Sequence, residues 1–98
     1  MDIQTIIKQP DTTIVDVREP FEFKVRHIEG AIHIPLGQVP NRIEEFKEMP
    51  GPIVLYCRSG YRSGQAAIFL KSKGLEKVYN GGSMEPVSYT HLTLPTKA

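Results

Sequence analysis

The amino-acid sequence predicts an α/β protein with an open parallel sheet of four to five strands, flanked by helices on both faces. Short runs of β-branched and apolar residues alternate with segments whose apolar residues recur at helical spacing, which is the pattern of right-handed strand–helix–strand crossovers. The run at 53–56 is apolar throughout, as in a parallel strand covered on both faces. Ligands of such sheets bind at the carboxyl ends of the strands, so we expect the functional site there.

The chain begins with a predicted short helix and a strand. Asp2 can cap a helix whose isoleucines at positions 3, 6 and 7 fall on one face, and Pro10 ends that helix. Residues 13–17 are rich in β-branched side chains and form the first predicted strand.

A second helix and a second strand follow. Residues 18–20 form a turn whose proline suits the first helical position, and Phe21 and Val25 lie at i, i+4 of the helix after it. Residues 31–34 form a brief strand, which Pro35 stops.

The second half of the chain repeats the alternation. A helix begins near Pro40 and lays Ile43 and Phe46 on the core before the breaker at 49–52. The strand at 53–56 follows. A helix then runs from about Arg62 to a glycine at position 74 that suits its C-terminal end, and a last strand at 77–80 precedes two glycines.

Composition narrows the classes of function. The 98 residues make one domain, 40% hydrophobic and 23% charged, and the net charge of +1 argues against a nucleic-acid surface. No apolar run is long enough for a signal peptide or a membrane span, so we expect a cytoplasmic protein with no membrane partner. One cysteine excludes an internal disulfide framework and does not favour a structural zinc site. We expect no metal and no cofactor.

That cysteine, Cys57, stands where the apolar strand passes into a helix. A thiol ionises more readily at a helix N-terminus and near cations, and Arg58 and Arg62 supply positive charge. Gly60 allows successive backbone N–H groups to curl around an anion. A lone cysteine after a strand is also often a small buried apolar side chain. The arginines, the glycine and the helix start favour a reactive thiol.

Other polar residues receive more modest interpretations. Asp16 ends a strand and is expected to pair with Arg18 or to hold the neighbouring loop. Arg18 lies at the active edge and could help an anion approach, although surface arginines are usually solvated. His27 and His33 are interpreted as structural, and Tyr61 as a residue at the mouth of the site.

Four motifs in order resemble the single-domain rhodaneses, the family of thiosulfate sulfurtransferase-like proteins: DVREPFEF at 16–23, HIEGAIHIPL at 27–36, CRSGYRS at 57–63 and VYNGG at 78–82. The resemblance implies that Cys57 accepts sulfane sulfur as a persulfide and passes it to cyanide or a thiol. It implies a small anionic sulfur donor as partner. It implies that the loop from Arg58 to Arg62, with Ser59, Gly60 and Tyr61 between them, cradles the persulfide and that the two arginines attract thiosulfate. We add Arg18 to the predicted substrate-binding residues because of its place at the active edge.

Two alternatives remain open. Phosphatases and arsenate reductases of similar fold have an anion loop one residue longer than the four residues that separate Cys57 from Arg62, so phosphatase activity is the less favoured interpretation. A rhodanese-like domain can also serve as a binding or regulatory module without turnover. Such modules usually lack the cysteine, which is present here.

The resemblance weakens at both ends of the chain. We predict a rhodanese-like domain over 1–85 that is truncated at both ends, because the family's usual first strand and its closing helix are missing. Residues 86–98 resemble translated adapter sequence, and we interpret them as a non-native tail whose β-forming residues could pair with an open sheet edge. Either the sheet has only four strands or the chain is part of a larger protein.

Overall fold

The computed structural model describes residues 3–84, which form a four-stranded parallel sheet surrounded by helices. The elements are, in chain order, α1 Ile3–Ile7, β1 Thr13–Asp16, α2 Pro20–Val25, β2 Ile32–His33, a 3-10 helix Leu36–Arg42, α3 Ile43–Glu48, β3 Ile53–Cys57, α4 Tyr61–Ser72 and β4 Val78–Ser83. The strands lie in the order β2-β1-β3-β4. The predicted α/β class and parallel sheet are confirmed, with four strands in this part of the chain.

Two apolar layers hold the sheet between helices. On β3 the odd positions, such as Leu55, face a cluster that includes Phe46 of α3 and Leu70 of α4. The even positions, such as Val54, face a second cluster that includes the buried isoleucines of α1. All five β3 residues are buried, so this strand reads as continuously apolar because it has core on both sides. Each fully buried aliphatic side chain contributes roughly 1.5–3 kcal/mol.

Strand register brings the predicted site to one edge. Asp16 at the end of β1 lies beside Tyr56 of β3, and Cys57 lies beside Ser83 of β4. The β3–β4 ladder is irregular, because Leu55 pairs with Asn80 and Tyr56 with Gly82. The carboxyl ends of three neighbouring strands therefore meet around the cysteine, as expected for a parallel sheet.

The second helix has the predicted position but not a buried apolar face. Phe21 and Val25, which lie at i, i+4, are 70% and 84% exposed, and no residue of α2 is buried. The helix is held instead by a capping box between Glu19 and Glu22 and by Pro20 at its first turn. Spacing indicated the helix, but it could not indicate which face the tertiary structure covers.

Other boundaries differ by a few residues. The third helix begins at Ile43 rather than near Pro40, because the segment before it, including that proline, is a 3-10 helix. Phe46 is buried as predicted, whereas Ile43 is only half-buried. The last strand continues past the paired glycines to Ser83. Asp2 and the predicted tail 86–98 lie outside the described residues, and within these no helix is long and apolar enough to cross a membrane.

Candidate active site

Cys57 is the last residue of β3 and is fully buried. Its Sγ atom accepts a hydrogen bond from the Gly60 backbone N–H at 3.0 Å and another from the Ser63 N–H at 3.4 Å. The Ser63 hydroxyl lies 3.4 Å from the same sulfur. The loop and the first turn of α4 thus direct polar hydrogens at one sulfur atom, as the strand-to-helix junction predicts.

These groups favour the charged form of the thiol. Burial raises the pKa of Cys57, but the Ser63 hydroxyl and the backbone N–H groups of Ser63, Ser59 and Gly60 lower it, and the net direction is downward. A thiol of lowered pKa has a larger thiolate fraction near neutral pH, and the thiolate is the nucleophile.

Close packing against β4 shapes the loop. Gly60 has a φ of +97°, and a Cβ atom at this position would lie 3.2 Å from the Cα of Gly82. The side-chain amide of Asn80 donates to the Gly60 carbonyl at 3.0 Å, and a Cβ on Gly64 would meet that amide nitrogen at 3.0 Å. A glycine is therefore required at position 60, where the loop lies against the neighbouring strand.

Arg62 does not present a free charge to the site. Its guanidinium donates two hydrogen bonds to the carboxylate of Glu22, at 2.8 and 3.1 Å. The hydrogen bond from Arg62 lowers the pKa of Glu22 to about 2, so this ion pair persists well below neutral pH. The ion pair joins α4 to α2, and the positive charge of Arg62 still interacts with Cys57.

Arg18 is also paired. Its Nε and Nη2 atoms donate to the two oxygens of Asp16, at 3.0 and 2.7 Å, and both residues are buried. The expected pairing of these two residues is confirmed, and the guanidinium is held rather than solvated. A further hydrogen bond, from Arg18 Nη2 to the Arg26 carbonyl, extends this contact to the end of α2.

A cavity of about 460 Å³ opens at this edge of the sheet. Its lining residues are Arg18, Arg26, Arg58, Ser83 and Met84. Within residues 3–84, the side chains of Arg26 and Arg58 make no ion pair or hydrogen bond, so their charges face the cavity and solvent uncompensated. Such a pair of guanidinium groups suits a small oxyanion.

The two histidines are bound to backbone, as predicted. His27 Nδ1 lies 2.9 Å from the Phe23 carbonyl, and His33 Nε2 lies 2.8 Å from the Arg18 carbonyl. Both rings stack on Phe23, with centroid separations of 3.7 and 4.4 Å. Tyr61 is 71% exposed at the start of α4. In the described part of the chain, no cluster of three or more His, Cys, Asp or Glu residues could hold a metal ion.

The sequence reasoning missed Ser63, Asn80 and Glu22, although all three lie inside the quoted motifs. Ser63 carried a usable signal. It precedes Ala66, Ala67 and Leu70 at helical spacing, so it is a polar residue on the apolar face of α4, and such a residue needs a buried partner. Nothing local indicates that Glu22 contacts Arg62 or that Asn80 contacts Ser63.

Comparison with known proteins places this site in a family. The family model described as "Rhodanese-like domain" matches residues 2–85. The uncharacterized protein YqhL of Bacillus subtilis is 45% identical over 67 residues, and the putative sulfur carrier protein YrkF of the same organism is 42% identical over 77 residues. These matches cover 68% and 79% of this chain but only 52% and 41% of the relatives, so the chain spans about half of each.

A solved structure agrees with the family model. The E. coli rhodanese with anions superimposes with a TM-score of 0.69 at 32% identity, and the match covers 86% of this chain and 94% of that one. The chain belongs to the rhodanese-like domain family, as its four motifs predict.

Proposed function

We propose that this chain is a sulfurtransferase that moves sulfane sulfur from thiosulfate or a persulfide donor to a thiophilic acceptor through a persulfide on Cys57. The observation that carries the proposal is the sulfur of Cys57 itself. It is buried at the end of β3, two backbone N–H groups donate to it, and the Ser63 hydroxyl lies 3.4 Å away. The family supports sulfur chemistry in general, and one relative is named a putative sulfur carrier protein.

The reaction has two displacements at sulfur. The Cys57 thiolate attacks the outer sulfur of thiosulfate, a new S–S bond forms, and sulfite leaves with the electron pair of the broken S–S bond. An acceptor such as cyanide or a thiolate then attacks the outer sulfur of the persulfide. Thiocyanate or the acceptor's persulfide forms, and the Cys57 thiolate returns. No electrons enter or leave the protein.

The surrounding groups fit both steps. The N–H groups of Gly60 and Ser63 stabilise negative charge on sulfur before attack and after release. Arg58, together with Arg18 and Arg26, lines the cavity through which an anionic donor would approach. We assign Ser59 and Tyr61 to the wall and mouth of the same site. A single free thiol fits a reducing cytoplasm.

Phosphatase activity is less favoured by the state of Arg62. The Nη1 and Nη2 atoms of its guanidinium both donate to Glu22, so they are not free to bind a tetrahedral phosphate, and the loop is short.

A non-catalytic binding module is the other alternative. A Cys57→Ser variant separates it, because an enzyme loses sulfur transfer while a module keeps its cellular activity.

The test is a thiosulfate-to-cyanide assay on the wild type and on Cys57→Ala. We expect thiocyanate from the wild type and none above background from the variant. Release of phosphate from an aryl phosphate, without thiocyanate, would instead favour the phosphatase. The sulfur donor and the sulfur acceptor named above are part of this proposal.

A further inference from the structure

The side chain of Asn80 joins β4 to the cysteine loop through both atoms of its amide. Its Nδ2 donates to the Gly60 carbonyl at 3.0 Å, while its Oδ1 accepts from the Gly82 N–H at 3.0 Å and lies 2.6 Å from the Ser63 hydroxyl. A carbonyl can only accept and a backbone N–H can only donate, so these partners fix which end of the amide is which.

The Ser63 hydroxyl lies between Asn80 Oδ1 and Cys57 Sγ and has one proton, which it can donate to only one of them at a time. Its oxygen is 2.6 Å from Asn80 Oδ1 and 3.4 Å from Cys57 Sγ. The shorter contact takes the proton, so the hydroxyl oxygen turns its lone pairs toward the sulfur and can accept the S–H of the neutral thiol. When the thiol ionises, the sulfur competes with Asn80 for that proton.

Gly60 is held on two sides at the same time. Its carbonyl is bound by Asn80, and its N–H is 3.0 Å from the sulfur. Its left-handed conformation lets both groups reach their partners. Asn80 therefore affects two of the donors that stabilise the thiolate, although it does not itself contact the sulfur.

We propose that Asn80 is a positioning residue that sets how readily Cys57 ionises, by holding the Gly60 N–H on the sulfur and by competing for the Ser63 hydroxyl proton. The proposal deepens the proposed function, because it concerns the same thiol. Its test requires no sulfur donor or acceptor, so it can fail or succeed independently of sulfur transfer.

Several charged groups lie at the same edge of the sheet as the sulfur. They are Arg58 in the loop, Arg62 of α4 with its partner Glu22 of α2, and the ion pair between Asp16, the last residue of β1, and Arg18. Among the described residues, Asn80 forms no hydrogen bond with any of these charged groups, so their contribution is common to the variants compared.

The test is the pH dependence of Cys57 alkylation by iodoacetamide. In Asn80→Asp the carboxylate cannot donate to Gly60 and keeps the Ser63 proton more firmly, so we expect an apparent thiol pKa about one unit higher, which is about tenfold slower alkylation below that pKa. Asn41→Asp, at an exposed position of the 3-10 helix, adds the same charge elsewhere and is the matched control. Equal profiles for the two variants would overturn the proposal.

Two further variants separate the two contacts. Asn80→Ala carries no charge; it releases Gly60, which raises the thiol pKa, and frees the Ser63 proton, which lowers it, so we expect a smaller rise than in Asn80→Asp. In a Ser63→Ala background only the first effect remains, and an unchanged pKa on adding Asn80→Ala there would refute the hold on Gly60. In a Ser63→Ala background the effect of Asn80→Asp should shrink, because the hydroxyl is gone. Strictly additive shifts would refute the competition for its proton. A purely structural role would lower the thermal midpoint without moving the alkylation profile.

Discussion

Gly60, where the cysteine loop lies against β4, allows a test of the loop geometry, because the chain contains a matched control glycine. Gly60 has a φ of +97°, and an added Cβ would lie 3.2 Å from the Cα of Gly82. Gly74, at the end of α4, has almost the same φ of +99°, but no atom lies within 4 Å of its added Cβ. Substituting each by alanine separates backbone strain from the close approach.

The expected costs follow from these two environments. An L-residue in the left-handed region costs roughly 1–2 kcal/mol, which both variants share. Forcing a methyl group against the backbone of β4 adds about 1–3 kcal/mol in Gly60→Ala alone. Gly60→Ala should therefore be the less stable variant, and it should also lose the Gly60 N–H contact with Cys57.

Two measurements decide the matter. Urea unfolding gives the stability of each variant, and the rate of iodoacetamide alkylation reports the thiolate fraction of Cys57. We expect slower alkylation only in Gly60→Ala. If the two alanine variants are equally stable and react at equal rates, the account of the loop is wrong.

Two further predictions concern stability. Glu22→Gln should lower the free energy of unfolding at neutral pH by roughly 1–3 kcal/mol, since a charge-assisted contact with Arg62 is lost. The pKa of Glu22 is depressed from 4.5 to about 2 in the folded state, so this stabilisation is complete above pH 4.5 and disappears as the pH falls toward 2. The urea midpoints of variant and wild type should therefore converge near pH 2. A difference that is independent of pH would contradict this, and Glu45→Gln, in an exposed pair, should change little. Tyr56→Phe should cost about 1–3 kcal/mol, because the buried Ile28 N–H loses its acceptor at 3.1 Å; an unchanged urea midpoint would refute that role.

The architecture could be predicted from the sequence because each pattern that indicates it lies within a few consecutive residues. The continuous apolar run of β3 identified a strand with core on both sides, and the change to small polar residues marked the loop before α4. Because the carboxyl ends of parallel strands lie at the same edge of the sheet, the prediction of a parallel sheet also placed Asp16 and Cys57 at one edge.

The remainder of the site depends on contacts between residues distant in the chain. Glu22 forms an ion pair with Arg62 across 40 positions, so the guanidinium that the sequence suggested as an anion ligand already has a carboxylate partner. Asn80 contacts Ser63 across 17 positions, next to the irregularity in the ladder between β3 and β4. Neither pairing leaves a periodicity or a spacing that a single sequence could reveal.

The central claim is that Cys57 carries the transferred sulfur. The most direct measurement is the intact mass of the protein after incubation with thiosulfate, for the wild type and for Cys57→Ser. The account predicts that the wild type gains the mass of one sulfur atom, that cyanide removes it, and that the variant gains none. A wild-type mass that does not change, or an equal gain in Cys57→Ser, would contradict it.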